Sequence, residues 1–482
     1  MPSDDRLRGA FRGYCYSTSK AETRGAVKPL VTLPSMFQKA VSRRTAAISI
    51  ICCLTALLSF AGRNFQLDDA LIYARYTRNA LHGMGLVFNA GEHVNALTSP
   101  LFSVLLLGTS WLLHGNVLLA EILLSATFLA AACILAEDLA PWSGVLIAST
   151  YYFYLCFGME TTLFLFLILL TFTLYRKGKL YLVPTFALFT VLTRFEGGLL
   201  AVVIAADMWR TRQFPRTRAL LPPAIILVAY LAFNFHFYGA VLPSSASAKF
   251  AQGFSGYWGR WPRAFTHVRI ILKIFWDSIY VLPLAVVLGI LGLRSHRGTA
   301  MNRILLPFLG ALLAFYLLLN IPNYHWYYAP FIFFLLIYAL AGTPRTRLAY
   351  ILLTAVIAQC AVVAAWNLRR TGPRSDYVAV DEWLSSHSKP GAKIAAVEIG
   401  TIGWNTDRNV DDILGLTNPK NAALLQHRDL YTWLEQDKPD FVVVHHPPAF
   451  GENAATASPQ YVYVPIHFGA VYLMQRKDRT QP

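Results

Sequence analysis

The feature that most constrains this chain is the recurrence, across most of its length, of apolar runs separated by short polar breaks. They lie at 45–61, 98–113, 117–135, 142–157, 161–175, 179–193, 197–209, 219–238, 276–293, 303–320, 326–341 and 347–366. A bilayer core takes about 20 apolar residues in helical form, and backbone polar groups in lipid must be satisfied within the segment. Such runs therefore fold as membrane helices. Composition agrees: of 482 residues, 55% are hydrophobic and only 14% are charged, where soluble domains carry about 25%. The expected protein is mainly α and polytopic, with about eleven crossings over 45–370. A disordered cytoplasmic tail is expected over 1–44 and a small soluble α/β domain over 371–482.

Charge sets the topology. The formal net charge is +16, and its basic residues cluster in the short loops Tyr175–Lys179, Trp209–Arg218, Arg294–Arg303 and Pro344–Arg347. That is the positive-inside pattern, so these loops go to the cytoplasm and nucleic acid is not an expected partner. Gly158–Thr162, Thr193–Gly198, Tyr238–Lys273 and Asn320–Tyr328 then face outside, as does the C-terminal domain. The run 45–61 follows Arg43-Arg44 without a small-residue cleavage site and reads as a retained anchor. The loop opening at Asp68-Asp69 is therefore external. Three runs separate it from Gly158, also external, so one of them, expected within 98–135, is partial or re-entrant. The six cysteines show no disulfide or metal-ligand spacing.

The polar stretch Gln66–Pro100 carries the most chemistry. From Asp68 to His82 it reads as an amphipathic helix on the membrane surface. The aspartates lie in its first turn, and Gly83 stops it. A carboxylate there can take a proton from a sugar hydroxyl, which makes Asp68 and Asp69 the catalytic candidates. Arg75, on the more polar side, is a substrate-binding candidate. Thr193–Gly198 places Arg194 and Glu196 between two short apolar runs, where ionisable groups face a cavity more often than lipid. Arg194 suits a lipid phosphate, and Glu196 suits holding Arg194 or a sugar. Glu160 opens another run, Lys249 suits a phosphate leaving group, and His325 lies among interfacial aromatics as a donor to phosphate. Each also has a plain reading as a helix-start charge, surface lysine or belt residue. All eight fall on one side of the membrane in the topology above.

In the last segment, Asp376 caps a helix running to His387. Lys393–Val397 is a strand leading to a loop with Gly400 and Gly403, and Leu430–Leu434 is helical. Phe441–His445, Tyr461–Ile466 and Ala470–Gln475 are further strands. Neither GxGxxG nor GxxxxGK[ST] occurs, so nucleotide binding is not indicated.

Together DDALIYARYTRNALHGMGLVFNAGEHVNALTSPLF, GMETTLFLFLILLTF, LTRFEGGLLA, FYGAVLPSSASAK and AVEIGTIGWNTDRNVDDILGLTNP resemble the GT-C superfamily of membrane glycosyltransferases. They look most like the branch holding mycobacterial terminal β-(1→2)-arabinofuranosyltransferases. Relatives more often have Arg-Pro-Glu at Arg194-Phe195-Glu196, and often Asn at Ser244. The resemblance implies an inverting transfer from a polyprenyl-phosphate sugar donor to a cell-envelope glycan, lipid or protein acceptor. It implies an external aspartate, Asp68 or Asp69, as base, with Arg194, Lys249 or His325 on the leaving phosphate. No nucleotide cofactor is implied. A divalent cation is used by some members, and the sequence names no ligands for one. The rival readings are a transporter or flippase of lipid-linked sugars, which would favour internal repeats, and a non-catalytic scaffold.

Overall fold

The computed structural model describes residues 33–256, 282–320, 324–342, 347–369, 377–449, 451–466 and 468–479. The expected cap at Asp376, residues 257–281 of the outer loop, 321–323 and most of the Pro344–Arg347 loop lie outside these. Among the described residues, four helices, within Ser42–Ala61, Val117–Glu137, Thr217–Tyr238 and Ala300–Leu318, are long and apolar enough to cross a membrane, and six shorter apolar helices accompany them. The protein is an integral membrane protein.

Helix α1 (Leu33–Ala61) begins inside the segment expected to be a tail. Its Pro34 sits in the first turn, where a missing N–H costs nothing, and no glycine interrupts the helix after it. Residues 1–32 lie outside the described ones. Helix α2 (Asp68–Leu81) forms where the apolar spacing places it, stopping before Gly83 at positive φ. It does not lie open on a surface: Ala70 to Thr77 are all buried.

Helices α3 (Pro100–Leu112) and α4 (Val117–Glu137) occupy the stretch in which a partial run is expected. Thirteen residues rise only about 20 Å. Phe102 and Leu106 from α3, Leu113 just after it, and Val117 and Ala120 from α4 join one apolar cluster with Leu71 and Tyr73 of α2. Helix α3 is shorter than a full span and packs against α2, α4 and the helix Val183–Thr193. Helix α4 leads on from there. The chain then returns through α5 (Ser143–Ala148) and a 3-10 turn, Tyr151–Cys156. Gly158 arrives beside the first turns of α4, donating to Ser125 Oγ at 3.1 Å.

Helices α6 (Thr161–Arg176), α7 (Val183–Thr193), α8 (Gly197–Thr211) and α9 (Leu221–Tyr238) then alternate. At the basic ends, Asp207 accepts from Tyr175 Oη at 2.7 Å, Arg210 Nη2 at 3.0 Å and Arg303 Nε at 3.4 Å. This staple ties α6, α8 and helix Ala300–Leu318 together at the face opposite α2. Helix α10 (Ser244–Ser255) returns to the α2 side, where the Ser244 N–H donates to Asn95 O at 2.8 Å.

Beyond 377 the chain forms a five-stranded sheet ordered β2-β1-β3-β5-β4. The strands are β1 (Lys393–Ala396), β2 (Asn409–Asp412), β3 (Phe441–His445), β4 (Tyr461–Tyr463) and β5 (Val471–Arg476). Strands β1, β2 and β3 are parallel, with Ile394 opposite Val410 and Phe441; β5 runs antiparallel to β3 and β4. Side chains alternate as a strand requires. Ile394, Ala396 and Val443 pack toward α2 and α3, whereas Ala395, Val442 and Val444 pack on Trp433 and Ala455. One face of the sheet thus shares its core with the membrane-surface helices.

The segment read as a loop with Gly400 and Gly403 is instead a helix, Ile399–Thr406, lying against α2. Glycine disfavours helix by about 1 kcal/mol, but only glycine permits this approach. A Cβ on Gly400 would stand 1.8 Å from Asp68 O, and one on Gly403 2.6 Å from Arg75 Nη1. Strand β2, Asn-Val-Asp-Asp, runs against strand propensity, and the expected helix at Leu430–Leu434 falls at Thr432–Asp437.

Candidate active site

The neighbouring aspartates face different ways, as residues about 100° apart on a helix must. Asp68 points at the C-terminal helix. Its carboxylate accepts from the backbone N–H of Gly400 (3.0 Å) and Thr401 (2.7 Å) and from Thr401 Oγ1 (2.9 Å). Burial, with the Glu398 and Asp69 carboxylates adding, pushes Asp68 up to about 7 against those donors. That basicity suits a proton acceptor. Three of its roughly four acceptor sites are engaged by the C-terminal helix, so the carboxylate also works as a clamp, and it lines the second cavity described next.

Asp69 instead lines two adjoining cavities of about 200 Å³ each, which share Asp69, Lys249 and Trp326. No hydrogen bond holds the Asp69 carboxylate among the described residues. Lys249 lies on α10 with its Nζ 5.0 Å from the Tyr324 ring centroid. Burial lowers its pKa, but the Asp69 charge and the Tyr327 and Tyr324 phenols outweigh that and hold it above the usual range.

The first lobe is mostly apolar, with Met159, Phe195, Phe250 and Leu319 in its wall. Its charged floor comes from helix ends. Glu160 precedes α6, and Arg194 and Glu196 fill the break between α7 and α8. Arg194 is 5% exposed. Its Nε donates to Glu196 Oε1 at 2.8 Å and lies 3.8 Å from Glu160 Oε1. Tyr316 donates to Glu196 at 2.9 Å and Tyr73 to Glu160 at 3.2 Å. The guanidinium sits 4.8 Å from the Tyr327 ring centroid. One of its donors, Nη1, has no partner among the described residues, and neither has the buried Ser245 Oγ in the same wall. Buried donors left open cost about 1–3 kcal/mol each, so this lobe is built for a ligand that accepts hydrogen bonds.

The second lobe is roofed by the C-terminal domain: Glu398, Ile399, Asp412 and Leu414 face Asp69, Gln252, Tyr324 and Trp326. Sequence reasoning found none of Glu398, Asp412, Gln252 or Ser245. Glu398 and Asp412 lie more than 300 residues from Asp69 in the chain, and only the docking of helix Ile399–Thr406 brings them near.

Two expected substrate contacts stand elsewhere. Arg75 is spent on docking: Nε donates to Phe88 O (2.7 Å), Nη1 to Gly403 O (2.7 Å), and Nη2 to Asn89 Oδ1 (3.1 Å) and Arg408 O (2.6 Å). Its turn of α2 faces the C-terminal helix, so its donors meet backbone carbonyls there. His325 turns inward, its Nε2 3.0 Å from Leu155 O, while the next residues of the 3-10 turn, Trp326 and Tyr327, take the cavity wall. Asp69, Glu160, Arg194, Glu196 and Lys249 are brought together as expected. Among the described residues, no group of three or more His, Cys, Asp or Glu side chains is placed to hold a metal ion.

The bundle of short and long apolar helices, the surface helix bearing Asp69 over a two-lobed cavity and the docked sheet domain together make up a GT-C-like membrane fold. The chain is similar over 91% of its length to the crystal structure of ArnT from Cupriavidus metallidurans bound to undecaprenyl phosphate. That match covers 98% of ArnT, with a TM-score of 0.55 at 12% identity. The apo ArnT structure matches with a TM-score of 0.53 at 13% identity, again over 91% and 98% of the two chains. At these identities the likeness establishes the fold. In sequence the chain is 29% identical over 273 residues to the terminal β-(1→2)-arabinofuranosyltransferase of Mycobacterium tuberculosis, covering 49% of this chain and 42% of that protein. It thus spans less than half of that relative's length. Residues 364–481 match a domain of unknown function (DUF8728).

Proposed function

We propose that this protein is a membrane glycosyltransferase that moves a sugar from a polyprenyl-phosphate donor to an acceptor hydroxyl on the external face. The donor's phosphate rests in the apolar lobe against Arg194 Nη1, Ser245 Oγ and Lys249, and its tail passes Phe195 and Phe250, which lie exposed at the rim. Undecaprenyl phosphate is the ligand of the similarly folded ArnT structure. The acceptor enters the polar lobe. Asp69, at the junction, takes the acceptor proton; the oxygen attacks the anomeric carbon; the bond from that carbon to the phosphate oxygen breaks, and polyprenyl phosphate leaves with its charge met by Lys249 and Arg194. Attack from the side opposite the phosphate inverts the anomeric centre. Electrostatic stabilisation by fixed donors and general-base help are what the residues supply.

The observation that carries this reading is the sharing of Asp69 and Lys249 by both lobes. A base and a cation for the leaving group must stand where donor and acceptor meet. The positive-inside loops support a periplasmic or exterior position for that cavity and the C-terminal domain.

The test is single-turnover transfer from a panel of polyprenyl-phosphate sugars, read by mass spectrometry, beside donor binding. Asp69→Asn keeps size but loses the base, so turnover falls about 10²- to 10⁴-fold with donor binding intact. Asp68→Asn acts through the clamp and raises acceptor KM more than it lowers kcat. Parental turnover in Asp69→Asn rules the mechanism out.

A further inference from the structure

The polar lobe is a built site with polar groups left open. Gln252 is 3% exposed and lines it, yet its Oε1 has no partner among the described residues. Its Nε2 reaches Leu414 O only at 3.5 Å. Tyr324 and Trp326 stack face to face, centroids 4.6 Å apart and planes 6° apart, and present an aromatic wall to the same space. An open amide oxygen and a free carboxylate accept hydrogen bonds, and an aromatic face packs against C–H-rich surface. This combination fits a hydroxyl-bearing sugar ring.

Charge narrows the class. Asp69 and Glu398 line this lobe with Asp68 and Asp412, whose carboxyls burial raises to about 7 and about 6, against Lys249 as the one cation in its described lining. A carboxylate or phosphate on the acceptor would enter a wall already crowded with negative charge, and like-charge juxtaposition costs several kcal/mol.

Glu398 is held in place from behind. Tyr377 donates to Glu398 Oε2 at 3.1 Å. His445 Nε2 stands 2.8 Å from the Tyr377 hydroxyl and 3.5 Å from Glu398 Oε2, and His445 Nδ1 stands 2.6 Å from Glu452 Oε1. Glu452 is buried and also accepts from the N–H groups of His445 and Ala449. A carboxylate with this backing keeps its direction, as a group that orients a substrate must.

Resting on the function proposed above, we infer that the polar lobe is a subsite for an uncharged, hydroxyl-rich glycan end, with Glu398 orienting the acceptor and acidic acceptors excluded. Glu398 accepts from a hydroxyl beside the attacking one, Gln252 Oε1 accepts from a second, and the Tyr324–Trp326 wall meets the ring.

Binding and transfer are measured separately on the full chain in lipid nanodiscs. Hydrogen exchange over 393–406 is followed with a neutral oligosaccharide bearing a free vicinal diol and with its uronic-acid counterpart. Transfer from lipid-linked donor is followed on the same samples. The neutral glycan should slow exchange in the parent, and the acidic one should not. Glu398→Gln should weaken that binding about ten- to a hundredfold, the worth of a hydrogen bond to a charged group, with donor KM unchanged. His445→Gln, acting through Glu398, should raise acceptor KM by less, while His445→Lys should restore part of it. Equal protection by both glycans, no protection by either, or unaltered binding in Glu398→Gln overturns the inference. Protection without transfer leaves it standing and counts against the glycosyltransferase reading instead.

Discussion

Gly400→Ala isolates what the docking of the C-terminal domain does. The added Cβ would stand 1.8 Å from Asp68 O and 2.7 Å from Asp68 C, and both are backbone atoms. No rotamer relieves that, so helix Ile399–Thr406 must retreat by about 1.5 Å to reach normal contact. The three hydrogen bonds to Asp68, now 2.7–3.0 Å, would then lie near or beyond 4 Å, outside hydrogen-bonding range. Losing even two bonds to a carboxylate costs about 3–6 kcal/mol, or more than a hundredfold in the docking equilibrium. The apolar lobe has no wall from this helix and should keep its donor affinity. The polar lobe loses Glu398 and Ile399 and should lose acceptor. The assay is hydrogen exchange of α2 together with donor binding and transfer on one preparation. Faster exchange over 68–79, parental donor binding and a strong rise in acceptor KM are expected. Gly108→Ala, where a Cβ meets nothing within 4 Å, should match the parent. Parental exchange and kinetics in Gly400→Ala would refute the clamp.

Arg194→Lys should lower kcat/KM for donor at least tenfold, because lysine keeps the charge but not the fork that reaches Glu196 and leaves Nη1 for phosphate; Arg194→Ala should also unfold more readily, since the buried Glu160 and partly buried Glu196 carboxylates lose their cation. The hydrogen bonds of His445 to Glu398 and Glu452 raise its pKa from 6.5 to about 10. The folded form thus holds the proton more tightly, and the stability this gives is full below about 6.5 and lost as pH rises toward 10. Thermal unfolding of the C-terminal domain should show that decline, and His445→Gln should flatten it. Protease added outside sealed cells should cut within 447–459, and complete protection in spheroplasts would contradict the external placement.

The helices were legible because a membrane demands long apolar runs and leaves little choice. The five clustered site residues were legible because each is a charge where a membrane chain seldom tolerates one: Asp69 in a first turn, Glu160, Arg194 and Glu196 at helix ends, Lys249 on a short surface helix. The same signal misled at Arg75 and His325. A polar side chain at a helix end is equally consistent with satisfying backbone carbonyls, and only the position of the C-terminal helix, or of Leu155, decides. Strand β2 and helix Ile399–Thr406 were illegible for a related reason. Both run against local propensity and exist because partners far along the chain complete them: Asn89, which bonds Val410 through both its oxygen and its amide, and the backbone of α2.

The adjacency of Asp68 and Asp69 has a consequence for how this protein can be altered. A doubled acidic residue looks like redundancy, but here one peptide unit joins the fastener of the roof to the residue proposed as the base beneath it. No spring or linker lies between them, so a shift of the roof is felt at the base within a single residue. A hybrid that borrows another protein's C-terminal domain without the surface helix that fits it would mate the wrong latch to the right blade. The exchangeable part is therefore discontinuous: residues 68–81 travel with 377–479.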